Sequence, residues 1–123
     1  SRHTKHNQKF EVYFCTITCY EWLPLFEESQ TYEIVYQWFN HLIKDRCQIT
    51  GYDIMPNHLH ILLYPIHLAK SFKPAIGEGK RFMAYEIVKG LKQHGKSYLL
   101  QKLRNGVGIK ERLKAKKHQV FRL

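Results

Sequence analysis

Two histidines one residue apart, His58 and His60, follow directly on Met55-Pro56-Asn57. In an extended segment side chains alternate, so both imidazoles leave one face while Leu59, Ile61 and Leu63 leave the other for the core. Neutral imidazole is a good ligand for divalent metals, and two of them leave positions for a third protein group, water and a phosphate oxygen. A metal held there would polarise a scissile phosphate. A bare His-x-His is also what a half-exposed structural pair looks like. The surroundings favour chemistry: a turn is fixed just before the pair, Ile61-Leu62-Leu63-Tyr64 after it is apolar, and the remaining chain is basic. Glu78 or Glu86 could add a carboxylate, and their spacing selects neither.

The elements that must position the pair follow from patterning. Phe10 to Cys19, rich in β-branched and aromatic residues, reads as an opening strand. A helix follows Trp22-Leu23-Pro24-Leu25-Phe26, with Ser29 or Thr31 as cap and Glu27, Glu28 and Glu33 near its start. Its core stripe is Val35, Trp38, Phe39, Leu42 and Ile43, and it ends near Arg46. Gln48 to Met55, the turn Pro56-Asn57, and His58 to Tyr64 form a hairpin. A polar passage from His67 to Glu78 leads to a second helix, about Gly79 to His94, stopped by Gly95. Ala84, Ile87, Val88 and Leu91 share its core side, while Arg81, Tyr85, Lys89, Lys92 and Lys96 form a basic stripe. A short helix around Tyr98 to Leu103, a turn at residues 105–108, a basic segment from Lys110 to Lys117 and a final strand starting in Gln119 to Leu123 complete the chain. The order β-α-β-β-α-β predicts an α+β, ferredoxin-like antiparallel sheet with both helices on one face, as one domain over residues 1–123.

Charge is distributed unevenly. Residues 1–66 hold 5 Lys and Arg against 7 Asp and Glu, net −2, whereas residues 67–123 hold 15 against 3, net +12. A folded domain with that asymmetry points to a polyanion, because clustered cations release counterions from phosphates. Lys80, Arg81, Lys89, Lys92 and Lys96, with Lys110, Arg112, Lys114, Lys116 and Lys117, are the candidate track, and Tyr85 or Tyr98 could stack bases. No apolar run approaches the ~20 residues that span a bilayer, so a soluble chain without a membrane partner is expected. Cys15, Cys19 and Cys47 are odd in number and lack C-x-x-C spacing, which suits a reducing cytosol better than a disulfide framework or zinc ribbon.

The stretch Gly51-Tyr52-Asp53-Ile54-Met55-Pro56-Asn57-His58-Leu59-His60 resembles the Gly-Tyr-x-x-Met-Pro-Asn-His-x-His hairpin of the single-tyrosine HUH transposases and their REP-associated relatives. Phe14 to Thr18 and Leu25-Phe26 also look like that family's opening, and the likeness runs from about residue 10 to 91. The resemblance implies a nuclease and strand transferase acting on hairpin-forming single-stranded DNA in the bacterial cytosol. It implies His58 and His60 as ligands of Mg²⁺ or Mn²⁺, a tyrosine that forms a 5′-phosphotyrosine link, and a homodimer. A phenol with a pKa near ~10 is a poor nucleophile until it is deprotonated or set in line at a phosphate whose charge a metal offsets. The family carries that tyrosine on a late helix with the motif Tyr-Ile-x-x-Asn-Pro, which is missing from this sequence. A domain lacking its catalytic helix is the expectation, with Tyr85 the one alternative nucleophile, since Arg81 and Lys89 lie one turn away. Lys89 stands where a ligand would be needed and, while protonated, has no lone pair for a metal.

Two other readings compete. A ferredoxin-like RNA-binding module would stack bases on sheet aromatics, with Tyr13, Tyr52 and Tyr64 available, but would give the histidines no task. A small metal-binding domain without nucleic acid would leave the +12 half unexplained.

Overall fold

The structure, a computed structural model, describes residues 2–5, 12–45, 47–65, 73–114 and 116–122. The chain is α+β. Strands β1 (Arg2–Lys5), β2 (Tyr13–Thr18), β3 (Cys47–Met55) and β4 (His58–Pro65) make one antiparallel sheet in the order β1-β2-β4-β3. Its helices are α1 (Leu25–Glu28), α2 (Glu33–Lys44), α3 (Lys73–Gln93), α4 (Ser97–Asn105) and α5 (Ile109–Leu113), with a 3₁₀ turn at Tyr20–Trp22. Phe10 and Glu11, expected to begin the first strand, lie outside the described residues, as does Arg46.

The hairpin forms as expected, with one irregularity that matters. Ile49 pairs with Leu63 but Gly51 pairs with Leu62, so Thr50 is an extra residue, a β-bulge. Strict alternation would put Ile49 and Ile54 on opposite faces. The bulge resets the parity, turning Ile49, Tyr52 and Ile54 to the side of Leu63, Ile61 and Leu59. Gly51, Asp53 and Met55 then share the other face with Leu62, His60 and His58. Cys15, Ile17, Leu59, Ile61 and Leu63 all bury against helical residues in one core. Both main helices therefore lie on one face of the sheet.

The first helix is divided. Its opening turn α1 stops at Ser29, whose hydroxyl donates to the Leu25 carbonyl and pairs with Thr31 Oγ1 rather than capping a following helix. Gln30 takes a left-handed φ of 55°, and α2 starts at Glu33 with no side-chain cap. It buries Ile34, Val35, Trp38, Phe39 and Leu42. Ile43, expected in the core, falls past the edge of that stripe and is exposed.

Helix α3 begins at Lys73, six residues before the expected Gly79, with Pro74 in its first turn where a missing N–H costs nothing. Two glycines within the helix are packing devices. A methyl on Gly79 would overlap the Trp38 indole, and one on Gly90 would overlap the Ser29 carbonyl, so both let α3 lie close to its neighbours. Met83, Ile87 and Leu91 are fully buried. The stop at Gly95 is a Schellman motif: Gly95 has φ 67°, Lys96 N–H donates to Leu91 O at 2.9 Å and Gly95 N–H to Lys92 O at 3.2 Å.

The expected last strand is instead a single bridge, Cys19 to Phe121. Gln119, Val120 and Phe121 are all buried, with no alternation, because this segment is clamped across the end of β2. Gln119 N–H donates to Leu103 O, Tyr20 N–H to Val120 O and Arg122 N–H to Thr18 O. The sheet edge beside β2, where a last strand would pair, is held by β1. Among the described residues no helix is long and apolar enough to cross a membrane.

His118, in the same segment, has a buried Nε2 with no hydrogen-bond partner among the described residues. Burial, aided by Arg104, Lys92 and Lys117, lowers its pKa below the ordinary 6.5. The folded state thus keeps it neutral while the unfolded chain protonates, so stability is full above the ordinary value and falls as pH drops through it. The melting temperature of wild type should decline between pH 7.5 and 5.5 more than that of His118→Phe. Equal declines in the two proteins would contradict this.

Candidate metal centre on the second face of the sheet

Residues 19–26 fold back over the hairpin turn and are fastened to it. Cys19 N–H donates to Asn57 O at 2.9 Å and Phe26 N–H to Pro56 O at 3.0 Å. The Asn57 amide adds a longer bond, Nδ2 to Trp22 O at 3.5 Å. Because Asn57 gives its nitrogen to Trp22, its Oδ1 is the atom facing His58, and His58 Nδ1 donates to it at 2.7 Å. His60 Nδ1 lies 3.0 Å from Thr16 Oγ1, its direct partner across β2 and β4.

Both imidazoles are half-buried on the face turned away from the helices, with ring centroids 4.7 Å apart and planes at 76°. Engaging Nδ1 fixes each ring's orientation. With Nδ1 donating, as His58 does to Asn57, Nε2 of a neutral ring carries the lone pair, the arrangement that metal-ligating histidines require; His60 matches it in the tautomer that donates to Thr16. Phe14 stacks on His60 at 5.4 Å and Trp22 sets its ring against His58 at 5.8 Å, limiting rotation of both. The pair therefore fits a divalent cation as two preoriented ligands. Among the described residues no group of three His, Cys, Asp or Glu side chains converges on one point, so water and substrate oxygens would complete the shell. Glu78 and Glu86 belong to α3, on the helical side of the sheet, and neither joins the histidines. Asp53 is the carboxylate on the histidines' own face, opposite His60.

The thiols stay out of this chemistry. All three cysteines are free and buried. Burial, only partly offset by the Leu25 and Phe26 N–H groups, pushes Cys19 up to about 12, so it is protonated at neutral pH.

The exposed cationic stripe of α3 does not gather at the pair. Tyr85 is 70% exposed and Arg81, Lys89 and Lys92 are exposed too. Tyr85 is about 200° around α3 from both Met83 and Ile87, which enter the core, so it faces away from the sheet. The histidines leave the sheet's opposite face. Helix and sheet thus stand between Tyr85 and His58, and within one chain the phenol does not meet the pair. Lys96 is drawn to Glu28, 3.6 Å away, beside a groove of about 430 Å³ lined by Glu27, Glu28, Gln30, Tyr32 and Glu33, a poor setting for phosphate. Lys80 is half-buried and donates to Arg122 O at 3.4 Å, and desolvation first, then Lys116, lowers its pKa.

One cation not singled out in the sequence does approach. The Arg122 guanidinium lies 5.8 Å from the Trp22 ring centroid, next to His58. Asn57 and Thr16 were also missed as orienting groups. Asn57 had a local signal, its place directly before His58, but read only as a turn residue; Thr16 is brought to His60 by strand register, which no local pattern carries. Of the tyrosines suited to RNA stacking, Tyr13 packs against the core, and Tyr52 sits against Phe39 of α2 at 5.1 Å, so both point to the helical side. Tyr64 alone takes the parity of the histidines.

Comparison with protein families, characterised proteins and solved structures finds no match to this chain.

If the two orienting bonds prepare the pair, their loss should weaken metal binding without removing a ligand. Asn57→Ala and Thr16→Val are expected to bind Mn²⁺ about 10- to 100-fold more weakly than wild type by isothermal titration. His58→Ala and His60→Ala should abolish the site. Wild-type affinity in all four variants would show that the ion binds elsewhere.

Proposed function

We propose that this chain is a metal-dependent DNA strand transferase of the HUH transposase type, built on a ferredoxin-like frame and acting on hairpin-forming single-stranded DNA. The observation that carries this reading is the orientation of His58 and His60 by Asn57 and Thr16 on one sheet face. Each Nδ1 has a polar partner and the two rings lie 4.7 Å apart on that face, which supports a shared role for the pair. The resemblance of residues 51–60 to the family's hairpin supports the same assignment. The RNA-module alternative loses support, since Tyr13 and Tyr52 turn to the helical side.

Mg²⁺ or Mn²⁺ bound at the pair would act as a Lewis acid on a phosphoryl oxygen. The chain's own contribution is to hold two imidazoles at fixed angles, with Phe14 and Trp22 packed beside them. Imidazole ligands favour a transition ion, so Mn²⁺ is the better probe. The nucleophile is a phenol by resemblance; Tyr85 could meet the pair only across a homodimer. Arg81, Lys89 and Lys92 on the far side of α3 suit the backbone of a DNA hairpin stem or arm that wraps the domain. The cytosol is the matching compartment, where free thiols persist.

The test is incubation with single-stranded hairpin DNA and Mn²⁺, followed by native and denaturing electrophoresis. Metal-dependent binding that is abolished by His58→Ala with His60→Ala is expected of a domain without its tyrosine helix, and a covalent protein–DNA adduct lost in Tyr85→Phe would instead identify that phenol as the nucleophile. Metal-independent binding with equal affinity for RNA would contradict the reading.

A further inference from the structure

The 3₁₀ turn before α1 runs through left-handed backbone. Glu21 and Trp22 are consecutive non-glycine residues in the left-handed region, with φ of 51° and 58°. Such conformations cost free energy and persist where the surroundings impose them. Here the surroundings are the hairpin turn: Trp22 N–H donates to Cys19 O at 3.1 Å, Cys19 N–H to Asn57 O, and Asn57 Nδ2 to Trp22 O. The consequence is an indole held beside His58 yet 55% exposed, in a chain whose other tryptophan, Trp38, is 3% exposed. More than half of this large apolar side chain thus stays open to solvent. Arg122 stands over the same ring, and its backbone is bound at both ends, N–H to Thr18 O and carbonyl to Lys80 Nζ.

We propose that Trp22 and Arg122 form a nucleotide seat for single-stranded DNA: the indole stacks the base adjoining the phosphate held at the histidines, and the guanidinium contacts the neighbouring phosphate. This rests on the strand-transferase reading and names the substrate contact beside its centre. The chemistry is matched to the ligand. Base–aromatic stacking tolerates any sequence, and an arginine fork binds phosphate in two-point fashion. The contact between ring centroids, 5.8 Å from Trp22 to His58, places the stacked base within one nucleotide of the pair. Half of the platform is a strained turn and half is the clamped last segment, so the seat is assembled only in the folded protein.

The experiment uses the intact chain without metal and an oligothymidylate of about 15 nucleotides. Binding should quench tryptophan emission, and the quenching should vanish in Trp22→Phe, where only buried Trp38 remains. By anisotropy of labelled oligonucleotide, Trp22→Ala should bind about 5- to 100-fold more weakly, and Trp22→Phe should fall between it and wild type. An abasic strand should bind wild type and Trp22→Ala equally. Arg122→Gln should lower affinity and reduce the salt dependence by about one released ion. Circular dichroism verifies that each variant is folded. Quenching that persists in Trp22→Phe, or wild-type affinity in folded Trp22→Ala, overturns the proposal. So does tighter Trp22-dependent binding of oligouridylate. Because metal is absent, failure of the adduct assay leaves these readouts standing, and their failure leaves the adduct assay standing.

Discussion

The constraint on which the rest depends is the docking of residues 19–26 onto the Pro56-Asn57 turn. Two backbone bonds, Cys19 N–H to Asn57 O and Phe26 N–H to Pro56 O, fix where the chain leaves β2 relative to where the hairpin reverses. Neither turn residue has positive φ, so the reversal lacks the left-handed geometry that usually matches strand twist in two-residue hairpins. Tertiary bonds supply what the turn type does not. The same asparagine divides its amide between Trp22 O and His58 Nδ1. One side chain thereby couples the strained turn to the orientation of a candidate ligand.

The sheet separates two kinds of work by parity. Leu59, Ile61 and Leu63 alternate with His58, His60 and Leu62, so a single strand contributes to the core and to the chemical face at once. Burial of each large aliphatic side chain stabilises the fold by about 1.5–3 kcal/mol. Slipping the register by one residue would therefore expose the core residues and bury the imidazoles, at a cost of several such increments. Thr50 extends this logic to β3, since its bulge brings Ile49 and Ile54 to one side although their spacing is odd. Gly79 and Gly90 serve the other layer by letting α3 approach Trp38 and Ser29.

Much of this was legible in the residues. The hairpin, the His-x-His parity, most of the core stripes of the two main helices, with Ile43 wrongly included and Met83 left out, and the Gly95 stop follow from local periodicity and known cap chemistry. What escaped was tertiary. The start of α3 escaped because the segment before Gly79 reads as a polar passage, whereas the helix already begins at Lys73. Gln119 to Leu123 has the composition of a strand, yet Gln119, Val120 and Phe121 bury together. Basic residues at helical spacing defined a stripe on α3, but spacing cannot say which side of a sheet the stripe faces. Arg122 carried no periodic signal at all, and only the chain's return past Thr18 brings it to Trp22.

The two histidines and their orienting partners remain the centre from which the functional account is built, and the most direct test counts the nitrogens around a bound ion. Pulsed electron paramagnetic resonance of Mn²⁺ in the full chain, with natural-abundance and ¹⁵N-histidine protein, reads directly coordinated imidazole. The account predicts coupling to two histidine nitrogens, reduced to one in either His58→Ala or His60→Ala. A fully hydrated Mn²⁺ spectrum, or couplings unchanged by both substitutions, would contradict it.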